Sequence, residues 1–288
     1  MSEYLLKLLH RVNGFSPLDY AAQWMEIELE EEKSAIRRFG RIVYALFLRQ
    51  LQTRLGGEVT GFIWVVLQPL VMILLFTVMH AVISGRSSSS YDVVVFMGSG
   101  MIPFFLFRTI LQTSINVFKQ NRSLYFYPQV KPIDAFLANA LLESSIYGIV
   151  TLILLSLAML VGVDVIPKDF DWVIVGILWL ILLAMSWGLL LGVFNLFYPV
   201  VGRFVSFLTL PLLILSAVFF PVNILPPLAR EWILYNPVVH FMELIHGSYL
   251  SSLDTRYVDY GYMIEWTIVP LFLGLWLYRR SEWKFVAQ

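Results

Sequence analysis

Six stretches of this chain, roughly 62–83, 93–118, 134–162, 172–198, 204–221 and 262–279, run for close to twenty residues or more with few charges between their ends. A hydrocarbon core of about 30 Å is crossed by a helix of about 20 apolar residues. Backbone at that depth has no water to bond to, so helices that satisfy their own N–H and C=O groups are the available solution. The rest of the sequence leaves little room for a soluble alternative: 59% of residues are hydrophobic, only 14% are charged, and mean hydropathy is +0.75, whereas an ordinary soluble domain carries about 25% charged residues. The fold class is therefore an all-α polytopic membrane protein. With 20 basic and 20 acidic residues the net charge is zero, which gives nucleic acid no electrostatic footing. No cysteine is present, so disulfides, thiolate metal sites and cysteine nucleophiles are excluded.

Residues 1–61 are the polar part, and 62–288 form the transmembrane domain. No short apolar core followed by small residues stands near Met1, so a cleaved signal peptide is not expected. Residues 41–54 (RIVYALFLRQLQTR) are too short and too polar at their ends to span, and read as an amphipathic helix lying in the interface. Gly56 and Gly57 let the chain turn into the first span. Lys and Arg set the orientation. With a cytoplasmic N-terminus, fifteen fall on the cytoplasmic side, including Lys119, Arg122, Lys131, Arg203, Arg279, Arg280 and Lys284. Only Arg86, Lys168, Arg230 and Arg256 fall outside, so both termini are expected in the cytoplasm.

The segment 222–261 is long and apolar, but Pro221, Pro226, Pro227 and Pro237 divide it. A helix over 238–250 would reach only about 20 Å, too short to cross. Short helices dipping into the outer leaflet are expected, forming a pore mouth or gate with Tyr235, Asn236, Pro237 and His240 as its candidate residues.

No catalytic or metal constellation emerges. The chain has no GxxxxGK[ST] loop and no Gly-Lys dipeptide. His240, Glu243 and His246 place the two histidines about 120° apart on a helix, not on the shared face that zinc ligation requires. Gly98 and Gly100 lie within a span and suit close helix packing. Two charges lie deep in the hydrocarbon, Arg108 and Glu143, at matching depths on consecutive spans. They are expected to form a structural ion pair, or else Arg108 lines a channel for an acidic substrate. Trp64, Phe104 and Phe105 are helix-packing residues or aromatic faces along which sugar rings could slide. Arg49 and Arg54 either meet an acidic or phosphate head group or anchor the helix to anionic lipid.

Several stretches together resemble the membrane (permease) subunit of bacterial ABC transporters that export surface polysaccharide, and most closely the Gram-negative capsule exporters. They are LRQLQTRLGG with GFIWVVLQPL (48–70), MIPFFLF (101–107), YPQVKPIDAFLANALLE (127–143), FFPVNILPP (219–227), NPVVHFMELI (236–245) and LYRR (277–280). Gln68 stands where that family's pattern has Glu, and Arg108 lies outside the pattern. The resemblance implies six spans, an interfacial helix before the first, and gate helices between the fifth and sixth. It also implies a homodimer around a central channel that moves a lipid-linked capsular polysaccharide across the inner membrane. Two copies of a cytosolic ATPase, which hold the ATP and Mg, would dock through 119–133, with Arg122, Tyr125, Phe126 and Tyr127 as contacts. The chain itself would bind no cofactor. A lateral opening near 41–54 would admit the glycolipid, and a periplasmic adaptor and an outer-membrane channel would complete the route. Export of O-antigen or teichoic-acid polymers is the neighbouring alternative. An ion-coupled secondary transporter would need repeated halves and several deep carboxylates. A membrane-embedded glycosyltransferase or hydrolase would need converging carboxylates or histidines. Neither pattern is present in the sequence.

Overall fold

The computed structural model describes residues 37–54, 59–84, 93–127 and 129–281, and among them the chain is helical with no strand. Two compact units are separated at Ala45/Leu46. In the first, the described residues are one helical stretch, 37–45. The second holds everything discussed below. Gly56, Gly57, Arg86, Pro128, Lys284 and most of the polar N-terminal region lie outside the described residues.

Helix α1 covers 37–54, one turn longer than expected. It is followed by α2 (Val59–Ser84), α3 (Val93–Gln120), α4 (Pro132–Leu160), α5 (Phe170–Phe197), α6 (Val200–Ile214), α7 (Pro227–Ile233), α8 (Pro237–Tyr249) and α9 (Tyr260–Arg280). Helices α3, α4, α5 and α9 are long and apolar enough to cross a membrane. At 26 residues and with no Asp, Glu, Lys or Arg, α2 has the reach as well. The chain is a multi-pass membrane protein.

The fifth expected span needs correction. It begins at Val200 and its helix stops at Ile214, not at Pro221, so α6 rises only about 22 Å. Its stop is set from a distance. Asn236 donates from Nδ2 to the Leu215 carbonyl (2.9 Å), an acceptor that a further turn would use, and to Ser216 Oγ (3.0 Å). The same side chain caps α8 by accepting the Val238 N–H at 3.0 Å. Beyond it Ala217 sits at φ 56°, a left-handed conformation that ends helical continuation.

Helix α5 lies at the centre, packed on α3 and α9. Its Gly188-Leu-Leu-Leu-Gly192 run is a small-xxx-small seam. A Cβ at Gly188 would meet Ser114 Cβ at 2.7 Å, and one at Gly192 would meet the Ser114 carbonyl at 3.0 Å. The expected short helix near 238–250 is present as α8, buried from Val238 to Ser248 against α5 and α3. Gly100 gives it room, since a Cβ there would lie 2.7 Å from His246 Nε2 and 3.0 Å from the Val218 carbonyl. Its C-terminal end is fastened to the α4–α5 connection: the Lys168 and Asp169 N–H groups donate to the Tyr249 and Ser248 carbonyls at 3.2 and 2.9 Å. Connectivity thus puts α8 in the half of the bundle opposite the basic 119–133 connection.

Candidate functional site

Helix α3 is the most enclosed of the long helices, with every residue from Ser99 to Phe107 buried. From there to Gln120 the residues left open are Arg108, Thr109, Gln112, Thr113, Asn116, Lys119 and Gln120, all of them polar. A face that met lipid would be apolar, whereas this one is polar throughout, half-buried from Arg108 to Thr113 and exposed at Asn116, Lys119 and Gln120. Arg108, Gln112, Asn116 and Lys119 fall within an arc of about 80° and climb about 16 Å. Helices α4 and α6 flank the stripe. Thr109 shares a 3.1 Å hydrogen bond with Tyr147 of α4, and Asn139 donates to Thr113 at 2.9 Å. On the other side Gln112 donates to Thr209 of α6 at 2.9 Å.

Where the stripe ends at the basic side, a cavity of about 370 Å³ opens, lined by Asn116, Lys119, Asn195, Pro199, Gly202, Arg203 and Ser206. Its walls are tied by Asn195, which donates to the Ile115 carbonyl at 3.1 Å and accepts the Gly202 N–H at 3.2 Å. Sequence reasoning passed over Gln112, Asn116 and Asn195 because within the spans it weighed only charges, and it counted Lys119 for orientation alone. The signal it had was polar residues recurring every fourth position through an apolar span.

Glu143 does not pair with Arg108. It is 2% exposed and its Oε1 lies 3.6 Å from Arg54 Nη2 at the end of α1. Arg108 forms no ion pair among the described residues and stays half-buried on the open stripe. Depth matching between consecutive spans had left out the preceding helix, whose last turn reaches the same level. Two further bonds hold α1: Arg49 donates to Asn121 Oδ1 at 3.1 Å and Gln50 to the Ala135 carbonyl at 3.2 Å. Arg49 is thereby engaged with the start of the 119–133 connection and Arg54 with α4 beyond it.

That connection forms a 3-10 turn, Arg122–Leu124, after which Pro132 starts α4 with Asp134 Oδ2 accepting the Lys131 N–H at 2.9 Å. Phe126 and Tyr127 project from it, 71% and 64% exposed. Tyr125 does not: it is buried, and burial followed by the nearby Tyr278 pushes its phenol above the usual range. Arg122 is half-buried, with Nη2 enclosed and without a hydrogen-bond partner among the described residues.

Phe104 and Phe105 are enclosed in the main apolar core formed by the described residues. Trp64 on α2 is 69% exposed. Among the gate candidates, Tyr235 is open, and Asn236 and Pro237 begin α8. His240 is buried and bonded on both ring nitrogens, to the Leu234 carbonyl at 2.9 Å and the Asp259 N–H at 3.1 Å. Glu243 accepts the Val222 N–H at 2.9 Å, and His246 lies on the Phe96 ring, centroids 4.1 Å apart. The three residues are thus taken up separately, by different neighbours.

Residues 41–250 match the family described as ABC-2 type transporter. Polysialic acid transport protein KpsM of Escherichia coli is 32% identical over 240 residues, 83% of this chain and 93% of that protein. Capsule polysaccharide export inner-membrane protein CtrC of Neisseria meningitidis serogroup B is 27% identical over 244 residues, covering 85% and 91% of the two chains. BexB of Haemophilus influenzae, which carries the same description, is 25% identical over 243 residues, covering 84% and 92%.

Proposed function

The chain belongs to the ABC-2 type transporter family, and from that premise we propose that it is the permease subunit of an ATP-driven exporter. Its cargo is a lipid-linked capsular polysaccharide, moved across the bacterial inner membrane. The observation that carries this reading is the open polar face of α3. Amide, hydroxyl and guanidinium groups in a row replace the water that a hydrated polymer would lose, while the apolar rest of α3 is sealed into the protein. One subunit leaves the stripe uncovered, and a second copy facing it closes the path, which makes the working unit a homodimer with six crossings per chain, the fifth made by α6 together with the non-helical stretch 215–221 that follows it.

Both termini then face the cytoplasm, with the gate formed by 222–261 on the outer side. The exposed rings of Phe126 and Tyr127 dock the cytosolic ATPase that binds ATP and Mg. Because Arg49, Gln50 and Arg54 are bonded across the same region, a push on the connection is passed to α1, beside the lateral opening for the glycolipid. A periplasmic adaptor and an outer-membrane channel carry the polymer onward.

The test is surface capsule in a strain lacking this gene, complemented with wild type or with Gln112→Leu/Asn116→Leu. Wild type restores surface polymer, and the double variant accumulates polymer inside the cell. Full export by a double variant present at normal level would remove the α3 path from the account.

A further inference from the structure

A second cavity, of about 910 Å³, opens where the chain enters α9. The two ends of α9 fix its level. Tyr278 in the last turn lies against Phe118 of α3, centroids 6.3 Å apart, beside the 119–133 connection. The first turn therefore lies at the opposite membrane surface, where Tyr260 meets Trp172 of α5, centroids 6.1 Å apart. Tyr and Trp rings at span ends mark headgroup depth. The cavity lining carries both signs of charge. The Tyr257 ring has two guanidinium groups over it, Arg230 at 4.9 Å and Arg256 at 5.3 Å from its centroid. Arg230 is taken up by the Tyr257 hydroxyl and the Asn223 and Leu225 carbonyls, at 2.9, 3.1 and 2.8 Å. Arg256 meets Asp254 through Nε at 3.0 Å, and among the described residues its two Nη groups donate no hydrogen bond. The acidic part of the lining is Glu231 of α7 and Asp259, beside the rings of Tyr235, Tyr260 and Tyr262. It is braced from within. The Tyr262 hydroxyl donates to the Tyr235 carbonyl at 2.7 Å, the Asp259 N–H donates to His240 Nδ1 at 3.1 Å, and the His240 and Tyr262 rings lie 5.2 Å apart. Asp259 accepts the Tyr262 N–H on Oδ1 at 3.0 Å, which leaves Oδ2 for a ligand. From the rim, Tyr260, Ile264 and Ile268 recur at successive turns of α9, all exposed. A cavity of both charges at headgroup depth, continued by an apolar row toward the membrane centre, has the outline of a phospholipid.

We propose that this cavity seats the headgroup of an ethanolamine phospholipid, with its phosphate on the Arg256 Nη groups and its ammonium among Glu231, Asp259 and the neighbouring tyrosines. The rings alone would take any cation. The carboxylates favour a primary ammonium, which has three N–H groups to donate, over a quaternary one, which has none. A glycerol headgroup brings no cation to meet them. The acyl chains lie along Ile264 and Ile268, and the bound lipid ties the α8–α9 connection to the bilayer surface. The assignment rests on the chain being a membrane protein and not on its cargo.

The test is native mass spectrometry of the full chain in detergent, offered equimolar dioleoyl phosphatidylethanolamine, phosphatidylcholine and phosphatidylglycerol. Wild type should retain phosphatidylethanolamine about tenfold more tightly than either of the others, the worth of one charge-assisted hydrogen bond. Glu231→Gln/Arg256→Gln should lower it to the phosphatidylcholine level at an unchanged melting temperature, since both side chains are exposed. Arg256→Lys should keep the preference. If the double variant fails to fold, the preference of the wild type decides alone. Glycerophosphoethanolamine, the same headgroup without acyl chains, should compete only in large excess. Equal retention of the three lipids, a preference for phosphatidylglycerol, or an unchanged preference in the double variant overturns the site. Competition by equimolar glycerophosphoethanolamine overturns the lipid as occupant, and displacement of phosphatidylethanolamine by equimolar hexalysine overturns it in favour of a basic peptide. None of these readouts depends on export, so their failure leaves the export reading untouched.

Discussion

At the scale of single residues, the energetics centre on a carboxylate that cannot stand alone. Glu143 is buried and its counter-charge arrives from α1. Removing one partner of a buried pair costs about 3–5 kcal/mol, but Arg54 is 41% exposed and solvent screens it, so Arg54→Gln should cost about 1–3 kcal/mol. Glu143→Gln added to it should recover most of that loss, because the stranded charge is gone; thermal unfolding in detergent would show it, and a double variant less stable than Arg54→Gln would contradict it. Arg108→Gln should leave the melting temperature unchanged and slow export of acidic polymer, measured as surface capsule per cell. The depth of both charges was legible from their distance to the span ends. The partner of Glu143 was not, because which face a helix turns to its neighbour depends on packing that a single apolar span does not encode. Phe104 and Phe105 illustrate the same blindness: in a run apolar on every side, nothing in the spacing separates a buried ring from one lining a path.

At the scale of elements, α8 was legible because prolines act locally, fixing where a helix can begin. The end of α6 was not, because Asn236 sets it from across the fold. Asn236→Ala removes the α8 cap and the α6 closure together and should cost about 1–2 kcal/mol, seen as a lower melting temperature with the export path itself intact. Gly100→Ala forces a methyl against His246 and the Val218 backbone, and overpacking of that kind costs about 1–3 kcal/mol. A melting temperature equal to wild type would mean that α8 lies farther from α3. In the 119–133 connection, exposure separates the aromatic residues. Phe126→Ala should leave the isolated subunit stable and weaken its complex with the ATPase by about 1.5–3 kcal/mol, the worth of burying one such ring. Tyr125→Ala should do the opposite, destabilising the subunit before any docking is measured.

At the scale of the whole molecule, one arrangement joins these parts: a bundle built on α5, a polar face left open along the Arg108–Gln120 half of α3, and α1 bonded at Asn121 and Ala135 across the 119–133 connection. The rough placement of the long helices was legible from hydropathy alone, whereas the fifth of the six expected spans is helical only from Val200 to Ile214. That the polar residues of α3 form one uncovered stripe needed the packing of every other helix, since only that decides which face stays open. The absence of cysteine makes the direct test simple. Single cysteines are placed by Gln112→Cys and Asn116→Cys on the stripe, and by Ile110→Cys and Ile115→Cys on the buried face, in the assembled transporter in membranes. A hydrophilic maleimide should label positions 112 and 116, with labelling blocked while polymer is being exported, and should leave 110 and 115 unlabelled. Equal labelling at all four positions, or labelling at 112 and 116 only by a lipid-soluble reagent, would contradict a water-filled polymer path along α3.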